Sequence, residues 1–99
     1  MQNIISGLNK AFDNRIRLGI MSVLMVTDNA DFNSLKKMLD LTDGNLASHA
    51  AALEKLDFIR VEKQFVGKKP NTRYAVTREG RKAFSEHLDA LEKLISSNN

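Results

Sequence analysis

Residues 41–56 read LTDGNLASHAAALEKL, and the rest of the chain is organised around this stretch. Thr42 and Asp43 are residue types whose side-chain oxygens accept hydrogen bonds from the free amides of a first helical turn. Three apolar residues follow at spacings of four and three, which place them on one helical face: Leu46, Ala50 and Leu53. The stretch therefore predicts a helix with one narrow apolar face.

The opposite side of this predicted helix carries short side chains that are polar or bear a methyl group: Asn45, Ser48, His49 and Ala52. Amide and imidazole groups hydrogen-bond to the edges of bases in a DNA groove, and small methyl groups contact the thymine methyl. An ordinary amphipathic surface helix would show the same pattern. The sequence on either side must decide between these two interpretations.

Composition limits the class of protein. The chain has 99 residues, 42% of them hydrophobic, and no cysteine, which excludes disulfides and thiolate metal sites. No apolar run approaches the roughly 20 residues of a membrane span, and the N-terminus lacks the pattern of a signal peptide. We therefore expect a single cytoplasmic domain over residues 1–99 that does not enter a membrane.

The positive charge of the chain is concentrated in one segment. The formal net charge is +3, but residues 60–82 hold eight basic and two acidic residues, which leaves a net charge of −3 for the other 76 residues. A local cluster of Lys and Arg is typical of a surface that binds a polyanion.

Three helices are predicted before residue 41. The first lies within residues 2–12, and the second, over residues 15–26, is apolar on most sides and is expected at the centre of the domain. A polar cluster at 27–31 predicts a turn, after which Phe32 stands as a lone aromatic, in a very short strand at most. The third helix is expected to begin at Asn33 or Ser34. Two short helices joined by a tight turn form a helix-turn-helix, with 43–56 as its second helix.

After the helix-turn-helix, the hydrophobic period changes from 3.6 to 2. Apolar residues alternate with polar ones over 59–65, with Lys63 breaking the apolar side, and over 72–76 Thr72, Tyr74 and Val76 alternate with Arg73 and Ala75. The turn residues of 67–71 stand between the two runs. This pattern predicts a β-hairpin with a basic tip. Thr77 is then placed to cap a last helix, which runs to about residue 95.

Several spaced motifs resemble those of the small winged-helix DNA-binding transcriptional regulators, a group akin to the MarR and ArsR families. Besides His49, they are DFNSL at 31–35, LTDGNL at 41–46, LEKL at 53–56, FVGKKPNTRY at 65–74 and TREGR at 77–81. The resemblance covers roughly residues 8–95. It implies an α+β, mostly α fold: a winged helix-turn-helix with a two- or three-stranded antiparallel wing and flanking N- and C-terminal helices.

The same resemblance implies which residues contact double-stranded DNA. The recognition helix would cover about 43–56, the wing about 59–76 and the C-terminal helix about 78–95. The DNA contacts implied are Thr42, Asn45, Ser48 and His49 on the helix and Lys68, Lys69 and Arg73 on the wing. Three positions depart from the pattern, because Ala47, Ala50 and Asp57 stand where serine, leucine and glycine are usual.

The two terminal helices carry apolar stripes outside the helix-turn-helix and the hairpin. Their members are Ile4, Ile5, Leu8 and Phe12 at one end and Phe84, Leu88, Leu91 and Ile95 at the other. An exposed apolar surface of this size usually marks an interface, so these residues predict a homodimer. The alternative is that the two helices pack on each other within one chain.

Other kinds of chemistry receive little support from the sequence. The glycines form no phosphate-binding pattern, and no serine has the context of a nucleophile, so neither an enzyme nor a cofactor site is predicted. His87 lies near three carboxylates, but without the spacing of metal ligands, and no metal is predicted. A winged helix that binds a protein instead of DNA remains the alternative function. No residue pattern identifies a small-molecule effector.

Overall fold

A computed structural model describes residues 5–96 and confirms the predicted winged-helix fold. A 3-10 turn at Lys10–Phe12 precedes the regular elements. In chain order these are α1 Arg15–Thr27, β1 Asn29–Asp31, α2 Phe32–Leu39, α3 Asp43–Lys55, β2 Ile59–Val66, β3 Lys69–Val76 and α4 Arg78–Ser96. None of the helices described is long and apolar enough to cross a membrane.

Helix α1 occupies the centre of the domain, as its sequence predicted. The Oδ1 atom of Asn14 accepts hydrogen bonds from the amides of Ile16 and Arg17, at 2.9 and 3.1 Å, and so begins the helix. Its fully buried side chains are Ile20, Met21 and Leu24. Helix α1 contacts the other three helices, β1 and β3, so its burial joins the helical layer to the sheet.

Helix α3 has the predicted start and the predicted apolar face. The hydroxyl oxygen of Thr42 accepts from the amide of Asn45 at 3.1 Å, and Leu46, Ala50 and Leu53 are almost fully buried. The helix ends in a Schellman motif, in which the Phe58 amide donates to the Leu53 carbonyl and the Asp57 amide to the Glu54 carbonyl. Asp57 takes the left-handed conformation at φ 63°, the position where glycine is usual.

The segment before α2 differs from its prediction. Residues 29–31 are not a turn but strand β1, which pairs with β3 from Asn29↔Ala75 to Asp31↔Arg73. Helix α2 begins at Phe32, one residue before the first predicted start, because Asp31 caps it by accepting from the Ser34 amide at 2.7 Å. The partner strand of β1 is 42 or more residues away, so local pattern alone does not reveal it.

The three strands form an antiparallel sheet in the order β1-β3-β2. Strands β2 and β3 pair without interruption from Ile59↔Val76 to Val66↔Lys69, and together they form the wing. The turn is therefore only Gly67-Lys68, shorter than the predicted 67–71. Gly67 has φ 66°, which fits the first central position of a type II′ turn, where glycine is favoured.

The N-terminal segment is not the helix predicted for 2–12, and its residues 2–4 lie outside the part of the chain described. Asn9 instead begins the 3-10 turn, because its Oδ1 accepts from the Ala11 amide at 2.9 Å. This turn places Phe12 in the core, with its ring centroid 5.1 Å from that of Phe84. Both phenylalanines are 4% exposed, so their assignment to a dimer interface is wrong. At these two positions the terminal segments pack within one chain.

Helix α4 is fixed to the end of α3 through Thr77, whose capping role was predicted. Its hydroxyl donates to the Asp57 carbonyl at 2.6 Å and accepts from the Gly80 amide at 2.9 Å. A Cβ at Gly80 would lie 2.0 Å from the Phe58 carbonyl oxygen, so only glycine allows this approach. On the inward side of α4, His87 is buried and its Nδ1 accepts from the Asn9 amide at 3.0 Å.

Candidate nucleic-acid interface

The outward direction of α3 follows from its buried face. Side chains of an α-helix turn by about 100° per residue, so Ser48 points within about 20° of the direction opposite to Leu46, Ala50 and Leu53. Asn45 deviates from that direction by about 70° and His49 by about 110°. Asn45 and Ser48 are exposed accordingly, whereas His49 is half-buried at the flank of the helix.

The start of α3 is held by groups that the sequence identified only in part. Because the Thr42 oxygen accepts from Asn45, its hydroxyl proton is free to be donated to an anion such as a phosphate. The Nζ atom of Lys36 on α2 lies 2.7 Å from the Oδ1 atom of Asp43. This pair balances the one acidic residue in the first turn of α3. The two helices of the motif are thus connected where α3 begins.

The wing has an inner face toward α3 and an outer face. Val61 and Lys63 on β2, with Thr72 and Tyr74 on β3, line a cleft together with residues of α3. Side chains alternate along a strand, so Glu62 and its neighbours of even number on β2 belong to the outer face. The inner face therefore carries a lysine, Lys63, that the family pattern did not single out.

Three of the basic residues in 60–82 have side-chain partners within the described part of the chain. Arg60 pairs with Glu62 at 3.1 Å, and Arg81 on α4 pairs with Asp28 at the end of α1. The Nη2 atom of Arg73 donates to Oδ1 of Asn29 on β1 at 2.5 Å. Arg73 thus lies at the base of the wing and joins β3 to β1, away from the tip where Lys68 and Lys69 are exposed.

Three lysines of the wing have no acidic partner among the described residues. Within residues 5–96, no carboxylate lies within 4.0 Å of the Nζ atoms of Lys63, Lys68 and Lys69. Lys68 is in the two-residue turn, Lys69 is the first residue of β3, and Lys63 lies on the inner face. The lysine ammonium groups that an external anion can reach therefore extend along the wing from its inner face to its tip.

The cleft between α3 and the wing is open and has a volume of about 590 Å³. Its α3 wall consists of Ala47, Ala51 and Glu54. The methyl side chains leave room for close approach, and Ala47 is one of the departures from the family pattern, where serine is usual. Burial raises the pKa of Tyr74 above its usual 10.0, with the charge of Glu54 as a second cause, so this phenol stays neutral at pH 7.

Some residues of this surface were not predicted as contacts. Ala47 and Ala51 line the cleft, Lys63 faces it, and Lys55 lies on the outward side of α3. A helical wheel of α3 would have identified Ala51 and Lys55. The alternation of β2 would have placed Lys63 on the same face as Val61. Ala47 and Glu54, the other residues of the α3 wall, can be recognised as neighbours of the wing only in the folded chain.

This arrangement of a helix-turn-helix and a two-stranded wing defines a class of protein. The family model described as "Winged helix DNA-binding domain" matches residues 16–95, and the chain belongs to this family. The resemblance to small winged-helix DNA-binding proteins is thereby confirmed.

Individual proteins are similar over most of the chain. A transcriptional regulator homologue protein from Pyrococcus horikoshii is 31% identical, with a TM-score of 0.86 and coverage of 97% of this chain and 93% of that one. An uncharacterised protein of Methanocaldococcus jannaschii is 34% identical over 79 residues, which are 80% of this chain and 86% of its relative. The YusO protein from Bacillus subtilis, 14% identical, has a TM-score of 0.81 over 96% of this chain and 67% of its own, and shares the fold.

Proposed function

We propose that the protein is a transcriptional regulator that binds double-stranded DNA sequence-specifically as a homodimer in the cytoplasm. Helix α3 lies in the major groove, where Asn45 and Ser48 contact base edges and His49 lies at the rim. Thr42 donates to a phosphate. Lys68 and Lys69 contact the backbone or the minor groove, and Arg73 supports the wing from its base. Phosphate contacts set the register on the duplex, while base contacts determine sequence preference. The proposal involves no catalytic step and no cofactor.

One observation carries this proposal: the exposed side of α3 and the cationic side of the wing border the same cleft. A recognition helix needs short side chains where it meets base edges, and the outward positions Gly44, Ser48 and Ala51 have them. The wing lysines without acidic partners then lie beside that helix. The similarity to a transcriptional regulator homologue also supports this function.

The outward side of α3 gives less support to a protein-binding adaptor. That function favours a surface with large exposed apolar and aromatic side chains. On α3 the exposed residues other than alanine are glycine or polar, and they include two carboxylates, Asp43, which is paired with Lys36, and Glu54. The exposed side of α3 has no large apolar side chain, so DNA is the partner that its side chains fit best.

The dimer part of the proposal rests on α4. Leu88, Leu91 and Ile95 are 45%, 41% and 61% exposed and recur at spacings of three and four, so they form one stripe. Ile5 is also exposed and Leu8 is half-buried. Ile4 lies outside the described residues, and Phe12 and Phe84 belong to the core. A twofold dimer would place two α3 helices about 34 Å apart on successive turns of the major groove.

The salt dependence of DNA binding tests the function. Lys68→Ala with Lys69→Ala should weaken binding to every duplex and make the slope of log affinity against log salt shallower by about one to two, since each contacted phosphate contributes about −0.9. Lys10→Ala with Lys93→Ala is the matched control. It removes the same charge from two exposed lysines outside the motif and the wing.

The control is expected to keep the wild-type slope, because neither of its lysines would meet a phosphate. Equal effects of the two double variants would mean that only net charge matters and that the wing makes no specific contact. If the wild-type protein binds no duplex at low salt, the DNA-binding function itself is wrong, and a protein partner becomes the alternative to pursue.

A further inference from the structure

The tip of the wing exposes an aromatic side chain. Phe65 is 74% exposed, whereas the other four phenylalanines of the chain are buried or partly buried. Burying such a side chain stabilises a fold, and this fold forgoes most of that stabilisation at Phe65. Its neighbour Val66 is also exposed, at 61%. The apolar groups of this tip therefore have no role in the core described above.

Strand alternation gives Phe65 a direction. It has the same parity as Val61 and Lys63, which line the cleft against α3, so its side chain extends that inner face toward the tip. Val66 has the opposite parity and belongs to the outer face. Of the two exposed apolar residues, only Phe65 projects on the side where α3 would enter the major groove.

The backbone around Phe65 is well suited to hold the ring in place. Phe65 pairs across the ladder with Pro70, on the same inner face, and the next pair, Val66↔Lys69, closes the two-residue turn. Cross-strand neighbours have Cβ atoms about 4.5–5.5 Å apart, so the pyrrolidine ring lies beside the phenyl ring. Proline also has few accessible backbone conformations, and the turn is tight. The tip is thus a short, stiff element.

The charges next to the ring indicate what it meets. Lys68 and Lys69 follow within four residues, are exposed and have no carboxylate within 4.0 Å among the described residues. Apolar residues flanked by cations match the minor groove, where phosphates line the edges and stacked bases form the floor. Phe and Pro are among the residues that architectural proteins insert between base steps there.

We propose that Phe65, supported by Pro70, is a minor-groove wedge that partly unstacks one base step and bends the bound duplex. This inference rests on the proposed DNA-binding function. While α3 occupies the major groove, the wing reaches the neighbouring minor groove, and Lys68 and Lys69 hold the phosphates on either side of the insertion. Pyrimidine–purine steps are the most easily unstacked, so the wedge favours TA or CA/TG at this position.

The bend angle tests the wedge. A duplex is first selected from random sequence by the wild-type protein, and its bend is then measured by circular permutation and by energy transfer between its ends. We expect the wild-type complex to bend the duplex by at least about 20°. Phe65→Ala should abolish most of the bend and lower affinity by about five- to 150-fold, as loss of one aromatic–base contact does.

Two further variants make the test specific. Phe65→Leu keeps a wedge-forming side chain and should retain most of the bend. Val66→Ala removes an exposed apolar group from the outer face of the same strand and should leave both bend and affinity unchanged. Because both positions are exposed, thermal unfolding of all variants should match the wild type. A 2-aminopurine probe at the step should brighten with the wild-type protein and not with Phe65→Ala.

The outcomes separate the wedge from the function on which it rests. A wild-type protein that binds the duplex but leaves it straight overturns the wedge and leaves DNA binding intact. The same conclusion follows if Phe65→Ala bends the duplex as the wild type does, or if Val66→Ala loses as much affinity. Absence of duplex binding by the wild type overturns both.

Discussion

The side chains of Ser48, Asn45 and His49 point in different directions around the axis of α3. That direction decides which surroundings each side chain contacts. The sequence correctly predicted that Leu46, Ala50 and Leu53 form the buried face, because apolar spacing is a local property. It treated His49 as equivalent to Ser48, although His49 lies at a half-buried flank. Apolar spacing shows which face of a helix is buried. It shows less precisely which exposed residue lies at the centre of the opposite face.

Replacement of these side chains should affect sequence preference to different degrees. Asn45→Ala is expected to lose about 1–3 kcal/mol on the selected duplex and much less on random duplex, as loss of a base contact does. His49→Ala should weaken both duplexes to a similar, smaller extent, because the rim of α3 faces the backbone. Titrations with both duplexes at one salt concentration measure the difference. If His49→Ala loses the preference for the selected duplex and Asn45→Ala keeps it, the two residues have the opposite roles.

Asp31 is expected to make stability depend on pH. Hydrogen bonding from the Ser34 backbone amide, then from its side chain, with a smaller effect of Arg73, holds the pKa of Asp31 below its ordinary 3.8. A carboxylate with a lowered pKa in the folded state stabilises the fold above its unfolded pKa. This contribution is lost as the pH falls toward the folded value.

The matched variant is Asp31→Asn, which retains a residue type that caps helices but removes the charge. Wild type should therefore unfold at a higher temperature than Asp31→Asn at pH 7, and the difference should shrink below about pH 4. Thermal unfolding of both proteins across pH 3–7 measures this. A difference that stays constant over the whole range would show that the charge of Asp31 does not contribute.

At the scale of elements, long periodic segments were predictable and short ones were not. The bounds of α3, the wing and α4 were close to their predictions, since each has apolar spacing or alternation repeated over at least five residues. Strand β1 has three residues, and its existence depends on pairing with β3. The N-terminal turn depends on the Asn9 side chain and on the hydrogen bond from the Asn9 amide to His87, neither of which a hydrophobic pattern reveals.

The junction between α3 and α4 should be intolerant of a single added methyl group. Gly80→Ala would bring a Cβ to 2.0 Å from a backbone oxygen of Phe58, which cannot move aside like a side chain. We expect this variant to lose at least about 1–3 kcal/mol of unfolding free energy, as overpacked sites do. Urea unfolding followed by circular dichroism measures the loss.

Gly44→Ala is the control for that measurement, because a Cβ there has no heavy atom within 4 Å. Replacing a helical glycine by alanine is expected to leave stability unchanged or to raise it by up to about 1 kcal/mol. Equal losses at both positions would mean that the contact between Gly80 and Phe58 does not limit packing.

At the scale of the whole molecule, the arrangement of charge and of apolar surface gives the protein two distinct regions. The cationic tip belongs to the wing and the apolar stripe to the second half of α4, in a chain with a longest extent of 58 Å. The family could be predicted from the order of motifs, whereas the members of the stripe could not be separated from the core. Phe84 and Leu88 have the same spacing pattern but opposite burial.

Sedimentation at micromolar concentration should show a homodimer. Leu88→Asp with Leu91→Asp should yield a folded monomer, since both side chains are exposed and the new charges would face each other across the twofold axis. Val26→Asp with Met38→Asp places two charges at exposed apolar positions on α1 and α2 and should leave the dimer intact. A monomeric wild type, or a dimeric Leu88/Leu91 variant, would contradict the assignment.

The two-residue turn of the wing also restricts how the length of this hairpin can change during evolution. Inserting one residue in β2 between Glu62 and Lys63 would move Lys63 and Phe65 to the outer face and Gln64 and Val66 to the inner one. A wing of different length keeps the same chemistry toward α3 only if each strand gains or loses residues in pairs. Gaps in this hairpin among functional relatives should therefore come in multiples of four, two from each strand.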